Sequence, residues 1–414
     1  MSTKKILILG GGVAGCAACY FLKKKDYKVT IIEKNNYVGG MSRTFYYAGH
    51  PYEFGPHIWF WPNDDINDVI RELTNNKLYY IKRRLFSYIE SEDALYRYPI
   101  HFEDIQKMPD SKEILRQLSK NRDKNNKLIA KKLPKLGKCT FENYFVETIG
   151  KNLYKKFMEN YTWKMWNIPG NKLQTSMVWA DRIKHNYEQL QGYDPIKFED
   201  HTLGKGLKFQ IYPKKGWNIV WDRMVEGAKL KLNEPVINIE KFQQKGYYIK
   251  TKRSKYYFKD YYAVISTISI DNLWGEDMLP YTGRIIVPLL FKNLNWAFSN
   301  KAESIHYSGI EFQSRITEMK RITKHKSKDT LILVEIPITS QAKNAFPENV
   351  MVDKHYRPKA YPQQSKEGLK MYNYYLEKTK KIDNLFILGR IGQFKYWGMP
   401  ETVNSAHKLV KNKF

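Results

Sequence analysis

Hydrophobic and polar positions follow several distinct periods along the chain. After Lys4-Lys5, the run Ile6-Leu7-Ile8-Leu9 has no polar face, as expected of a strand buried on both sides of a parallel sheet. Glycines follow, and Cys16 to Lys25 then has helical character and ends in lysines, which suit the carboxyl end of a helix. Lys28-Val29-Thr30-Ile31-Ile32 predicts a second strand that ends on Glu33. Near the other terminus, Asn384 to Arg390 predicts a short apolar strand ending on Gly-Arg, and Thr402 to Val410 a helix. The two ends therefore close one α/β domain, with the middle of the chain inserted. Tyr247 to Thr251 and Tyr261 to Ser266 predict further strands of that domain.

The middle has other periods. Residues 66 to 74 and 103 to 165 are largely helical by pattern, with a lysine-rich break from Asn121 to Lys138 that suits a solvated connection between helices. Ile285 to Phe291, Ile305 to Phe312 and Thr330 to Pro337 have strand composition. No internal repeat is present.

The segment between the first strand and first helix carries the sharpest chemistry. Gly10, Gly12 and Gly15 satisfy G-x-G-x-x-G, set between a strand and a helix. The first glycine permits a tight turn, the second lets a pyrophosphate approach the backbone, and the third lets helix pack on strand. Free N–H groups at the helix start would face the phosphates. Glu33, 18 residues beyond Gly15, is placed to accept hydrogen bonds from a ribose diol.

Composition narrows the classes. The chain has 414 residues, 42% of them hydrophobic and 15% aromatic, enough apolar surface for a large core and incompatible with a disordered chain. Lysine and arginine number 70 against 42 acidic residues, a net charge of +28. That excess fits nucleic acid, a membrane surface or a phosphate-bearing small molecule, and equally a merely solvated lysine-rich surface. The three cysteines cannot form a disulfide framework, and Cys16 and Cys19, despite C-x-x-C spacing, fall on an apolar helix start and read as buried thiols. No metal set is apparent. No apolar run reaches the roughly 18 residues that a membrane-spanning helix needs, so a cytoplasmic protein is expected.

Asn35 to Thr44, with Gly39, Gly40, Met41 and Ser42, resembles the E-x-x-x-x-x-G-G segment of the large FAD-binding family that includes amine oxidases and protoporphyrinogen oxidase. The resemblance implies FAD instead of a nicotinamide. A closer likeness covers nearly the whole chain. Phe54-Gly55-Pro56-His57-Ile58-Trp59, the helix Leu153 to Trp166, Ser314-Arg315-Ile316-Thr317-Glu318-Met319-Lys320, Ala360-Tyr361-Pro362 and Gly389 to Tyr396 resemble, in order, five motifs of the UDP-galactopyranose mutase family.

That likeness implies a Rossmann-like FAD-binding domain with an inserted helical domain and an antiparallel substrate sheet of six-stranded type. The expected division is 1–100, 201–275 and 371–414 for the FAD domain, 101–200 for helices with a mobile substrate loop, and 276–370 for the sheet. It implies interconversion of pyranose and furanose forms of a nucleotide-diphosphate sugar, as in polysaccharide biosynthesis. In the family, N5 of reduced FAD forms a covalent adduct with the sugar that opens through an iminium. NAD(P)H is a possible reductant and a homodimer a possible assembly.

By the same likeness Arg315, Arg390 and Arg182 serve the diphosphate, and His57 approaches the flavin ring. Tyr361 and Tyr396 bind the diphosphate, Phe157 and Tyr161 the base, and Trp166 lines the sugar site. Gly389 and Met399 join Gly10, Gly12, Gly15, Glu33 and Gly39 to Ser42 as cofactor residues. The chain departs from the family pattern at Phe60, His101, Met165, His306 and Gly398, so the resemblance leaves the sugar and the base open. The competing readings are an FAD-dependent oxidoreductase of the amine oxidase or protoporphyrinogen oxidase type, and a basic nucleic-acid or membrane-surface protein. The second lacks any recognised nucleic-acid module.

Overall fold

The computed structural model describes residues 4–60, 64–175, 196–197, 210–242, 246–338 and 356–414. Five parallel strands form the first sheet, in the order Lys229–Lys231, Lys28–Ile32, Lys5–Leu9, Ala263–Ser266, Leu385–Ile387. The unbroken apolar run of the first strand has a simple cause. Ile6 and Ile8 enter one core and Leu7 and Leu9 another, on opposite faces, and none is exposed. Helix Val13–Lys23 packs on the terminal helix Met399–Lys413 beside this sheet. Both chain ends thus meet in one α/β unit, of Rossmann-like form.

The two strands expected in the middle of the chain are both present, in different layers. Ala263–Ser266 lies inside the parallel sheet. Gly246–Thr251 instead belongs to an antiparallel three-stranded layer with Val236–Phe242 and Lys255–Tyr257, and its Ile249 joins Leu7 and Leu9 in their core.

The second large sheet differs from expectation. Where six antiparallel strands are expected, there are seven, in the order Tyr356–Pro362, Tyr281–Phe291, Thr330–Pro337, Arg315–Glu318, Ser304–Tyr307, Leu85–Ile89, Ala94–Tyr98. All neighbours are antiparallel except Ser304–Tyr307 with Leu85–Ile89. That pair is far apart in sequence, so no hairpin constrains its direction. Leu85–Ile89 and Ala94–Tyr98 precede the helical segment and are too short and mixed in polarity to stand out by period. Ser304–Tyr307 is also shorter than expected, because residues 308–313 turn away. The Lys164 ammonium holds that turn by donating to the carbonyls of Tyr307 (2.7 Å), Gln313 (3.0 Å) and Glu311 (3.2 Å).

A helical layer covers the cleft between the sheets. Phe141–Ile149 starts at Thr140, whose hydroxyl accepts from the Asn143 N–H. A continuous helical run from Lys151 to Trp166 follows, with a π-helical stretch at Lys155–Glu159. Tyr144, Phe145, Leu153, Phe157 and Trp166 share its core. The lysine-rich stretch at Asn121 to Lys138 connects helices, and all its lysines are exposed while Asn121, Arg122, Leu133 and Leu136 are buried. Cys16 and Cys19 are buried free thiols, and burial pushes the Cys19 pKa up to about 12. Among the described residues no helix is long and apolar enough to cross a membrane.

Candidate active site

The glycine loop does what its spacing implies. A Cβ on Gly15 would stand 2.0 Å from the Gly10 carbonyl oxygen, so the helix can lie this close to the strand only with glycine there. A second loop, Gly39 to Ser42, joins the first: the Gly39 N–H donates to the Gly11 carbonyl (2.8 Å), and the Ser42 hydroxyl donates to the Gly39 carbonyl (2.9 Å). The Glu33 carboxylate accepts from the N–H groups of Gly11 (2.7 Å) and Asn35 (2.9 Å) and stays at the cavity wall.

One cavity of about 1170 Å³ runs from these loops to the face of the seven-stranded sheet. A Cβ on Gly12 would meet no atom within 4 Å, so the backbone there is a bare cradle. The helices Val13–Lys23 and Met399–Lys413 both begin at this wall, at Gly12 and Gly398, so their positive dipole ends lie there. Together the cradle, the two helix starts and Glu33 fit a dinucleotide with a pyrophosphate and a ribose diol.

Across the sheet the cavity meets a row of polar side chains in register. Glu335 lies opposite Arg315, Arg315 opposite His306, and His306 opposite Ser87 on four neighbouring strands. The Arg315 guanidinium donates to Glu335 Oε2 through Nη2 and, at 3.2 Å, through Nε. Arg284, 2% exposed, donates from Nε to Glu335 Oε1 at 3.2 Å. Burial alone would raise the Glu335 pKa, but Arg315 and Arg284 hold it below the ordinary carboxylate value. Burial likewise opposes the charge on Arg315, and Glu335 overrides it to keep the guanidinium firmly protonated.

Next to this pair stands an aromatic group. Two guanidiniums, those of Arg284 and Arg390, lie over the Tyr361 ring, each 4.9 Å from its centroid. Tyr361 is 5.3 Å from Tyr396, and Tyr396 is 4.8 Å from Trp166 in an edge-on contact. Arg390 sits in the short turn Gly389–Gly392, directly after the last strand of the parallel sheet, and donates to the Trp397 carbonyl (3.1 Å). Three guanidiniums and one carboxylate thus leave two net positive charges in this cluster. His57 Nδ1 lies 2.9 Å from the Gly55 carbonyl. Burial, then Arg390, push the His57 pKa down to about 4, so its ring is neutral.

Most of the residues singled out from the sequence meet at this one cavity. Gly10, Gly12, Glu33, Gly40, Met41, Ser42, Gly389 and Met399 line one part of it. His57, Phe157, Tyr161, Trp166, Arg315, Tyr361, Arg390 and Tyr396 line the rest. Gly15 and Gly39 sit behind the wall, where they set backbone geometry. Arg182, and the substrate loop expected around it, lie outside the described residues. No group of metal-ligating side chains occurs among the described residues. Sequence reasoning missed Arg284 and Glu335. Each is a lone charge inside an otherwise apolar strand, Arg284-Ile285-Ile286-Val287 and Leu333-Val334-Glu335-Ile336, and that pattern was the available signal.

Comparison with known proteins agrees with this fold. A model of the NAD(P)-binding Rossmann-like domain matches residues 8–73, and a model of UDP-galactopyranose mutase matches residues 156–396. The chain is 20% identical to dTDP-fucopyranose mutase of Escherichia coli, with 99% of each chain covered. It is 23% identical to a probable UDP-galactopyranose mutase of Klebsiella pneumoniae, covering 99% of this chain and 94% of that one. The crystal structure of a reduced UDP-galactopyranose mutase shares the fold, with a TM-score of 0.76 at 18% identity, over 99% of this chain and 94% of that one.

Proposed function

The chain belongs to the UDP-galactopyranose mutase family, a family of isomerases, and from that premise we propose that it interconverts the pyranose and furanose forms of a nucleotide-diphosphate sugar with the help of reduced FAD. The observation that carries this reading is the cluster of Arg284, Arg315 and Arg390 around Glu335 and Tyr361, of which Arg315, Arg390 and Tyr361 line the same cavity as the dinucleotide cradle. Its two net positive charges complement a diphosphate, a ligand that an amine oxidase does not need.

The backbone at Gly10, Gly12 and Gly40, the two helix starts and Glu33 would hold FAD, with His57 and Met399 beside it. When bound and reduced, FAD would supply N5 as a nucleophile for the anomeric carbon of the sugar. The chain's own residues do the rest. Arg315, fixed by Glu335, and Arg390, held at the Trp397 carbonyl, are oriented before substrate arrives, and their charge stabilises the diphosphate as it leaves and returns. The phenols of Tyr361 and Tyr396 donate to the same group. Phe157 and Tyr161 form the apolar seat for the base, and Trp166 closes the sugar end against water. Arg182 is carried into this scheme from the family likeness as a third diphosphate contact. A cytoplasmic setting goes with this reading and suits three free thiols.

The test is direct. Purified protein should be yellow, and after reduction with dithionite or NAD(P)H it should convert at least one sugar in a panel of UDP-, dTDP- and GDP-sugars that includes UDP-galactopyranose and dTDP-fucopyranose. Ring contraction is read by chromatography. Turnover by the oxidised protein with consumption of oxygen, and no ring contraction, would overturn the proposal in favour of an oxidase.

A further inference from the structure

We infer that His306 and Ser308 form a recognition site, at the strand end of the cavity, for the hydroxyl groups of a neutral sugar ring in the substrate. The inference rests on the proposed function and adds to it the residues that choose between related substrates.

His306 lies one strand beyond Arg315 in the polar row. Its ring is gripped by two tyrosines, stacked on Tyr161 at 5.2 Å and edge-on to Tyr98 at 5.1 Å. It is only 8% exposed and lines the cavity, yet no hydrogen bond to either of its nitrogens forms among the described residues. Ser308, two residues on and 3% exposed, lines the same wall, and its hydroxyl also has no hydrogen-bond partner. A buried hydroxyl without a partner costs stability, and beside a cavity-lining imidazole that also makes no hydrogen bond it points to a ligand that completes both. The backbone carrying Ser308 is not free to turn the hydroxyl elsewhere, because Lys164 fastens the carbonyls on either side of it, at Tyr307, Glu311 and Gln313.

The chemistry of the pair selects its ligand. Burial, then Arg315 and Arg83, push the His306 pKa down to about 3, so the imidazole is neutral and presents one N–H donor and one acceptor nitrogen. Ser308 likewise donates and accepts. A set balanced in this way and without charge suits hydroxyl groups, while the neighbouring guanidiniums suit phosphate. Two parts of a nucleotide sugar carry such hydroxyls: the ring being isomerised and the ribose of the nucleoside.

The experiment uses the FAD-loaded protein and calorimetric titration with UDP-galactose, dTDP-fucose, UDP and dTDP. His306→Phe keeps a ring between Tyr161 and Tyr98 but removes both nitrogens, Ser308→Ala removes only the hydroxyl, and His306→Asn restores a donor and an acceptor. We expect His306→Phe and Ser308→Ala each to weaken binding of the preferred nucleotide sugar by about fivefold to tenfold. His306→Asn should recover part of the loss, with flavin content and melting temperature unchanged. A loss confined to the nucleotide sugars assigns the site to the isomerised ring; an equal loss with free UDP assigns it to the ribose. Unchanged affinity for all four probes in both His306→Phe and Ser308→Ala overturns the inference and leaves the proposed function standing. Failure of the unaltered protein to bind any probe would remove both.

Discussion

Replacing Arg315 by alanine tests the electrostatic frame of the site. The guanidinium supplies two donors to Glu335 Oε2, while Oε1 keeps its 3.2 Å bond from Arg284. Glu335 is 5% exposed, so water cannot readily replace what is lost. Removing one partner of a buried ion pair costs about 3–5 kcal/mol, and the surviving Arg284 contact places Arg315→Ala at the lower end, about 3 kcal/mol. The loss should depend on pH in a defined direction. The folded-state pKa of Glu335 lies below the ordinary value of 4.5, so its ionised form contributes stability above that value, and the contribution disappears as pH falls through the lowered one. Arg315→Ala removes the largest attraction on that carboxylate. The gap between variant and unaltered protein should therefore be full at about pH 7 and close as pH falls below the ordinary carboxylate range. Urea unfolding followed by circular dichroism, at neutral pH and at several acidic values, measures it. A gap under about 1 kcal/mol at neutral pH, the size of an exposed pair, would refute the reasoning, as would a gap that ignores pH. On the functional side the same variant should weaken UDP binding at least about tenfold, the loss of one charge-assisted pair of bonds.

Two glycines of the first loop should separate folding from cofactor binding. Gly15→Ala forces a Cβ to within 2.0 Å of a carbonyl oxygen and should cost about 1–3 kcal/mol or more in unfolding experiments. Gly12→Ala meets no protein atom within 4 Å, so it should fold normally and lose flavin absorbance after purification. Lys164 is buried under three carbonyls, and Lys164→Met should destabilise the protein by about 3 kcal/mol by leaving those acceptors unpaired. Burial pushes the Lys164 pKa down to about 8 from 10.5, so between those values the unfolded chain binds the proton more tightly and stability should rise with pH. Denaturation midpoints across that range should show the rise in the unaltered protein and a flatter profile in Lys164→Met.

The dinucleotide end was legible because each of its residues is demanded by local backbone geometry. Ile6 to Leu9 needs two buried faces, Gly15 needs a missing Cβ, and both requirements can be read within ten residues of chain. The sheet was less legible. Leu85–Ile89 and Ala94–Tyr98 acquire their meaning only beside Ser304–Tyr307, a partner that no local period announces. Glu335 and Arg284 were hidden for the same reason: their pairing is made across strands, 51 residues apart. Likeness to family motifs brought Arg315, Arg390, Tyr361 and Tyr396 forward together, and it is register, not sequence distance, that sets Arg315 beside Glu335.

The π-helical stretch at Lys155–Glu159 has a consequence for how this cleft could change. A helix turns about 100° per residue, so one residue more or less resets the direction of everything beyond it. The wide turn absorbs an added residue within the helix instead of expelling it as a loop. Tyr161, Lys164 and Trp166 therefore owe their bearings to it, although all three lie beyond it. Loss of a single residue there would leave a more regular helix, swing Tyr161 and Trp166 away from the cavity and pull Lys164 off its turn at once. The substrate wall is thus tuned by residue count as well as residue identity, a change that alignment of side chains alone would miss.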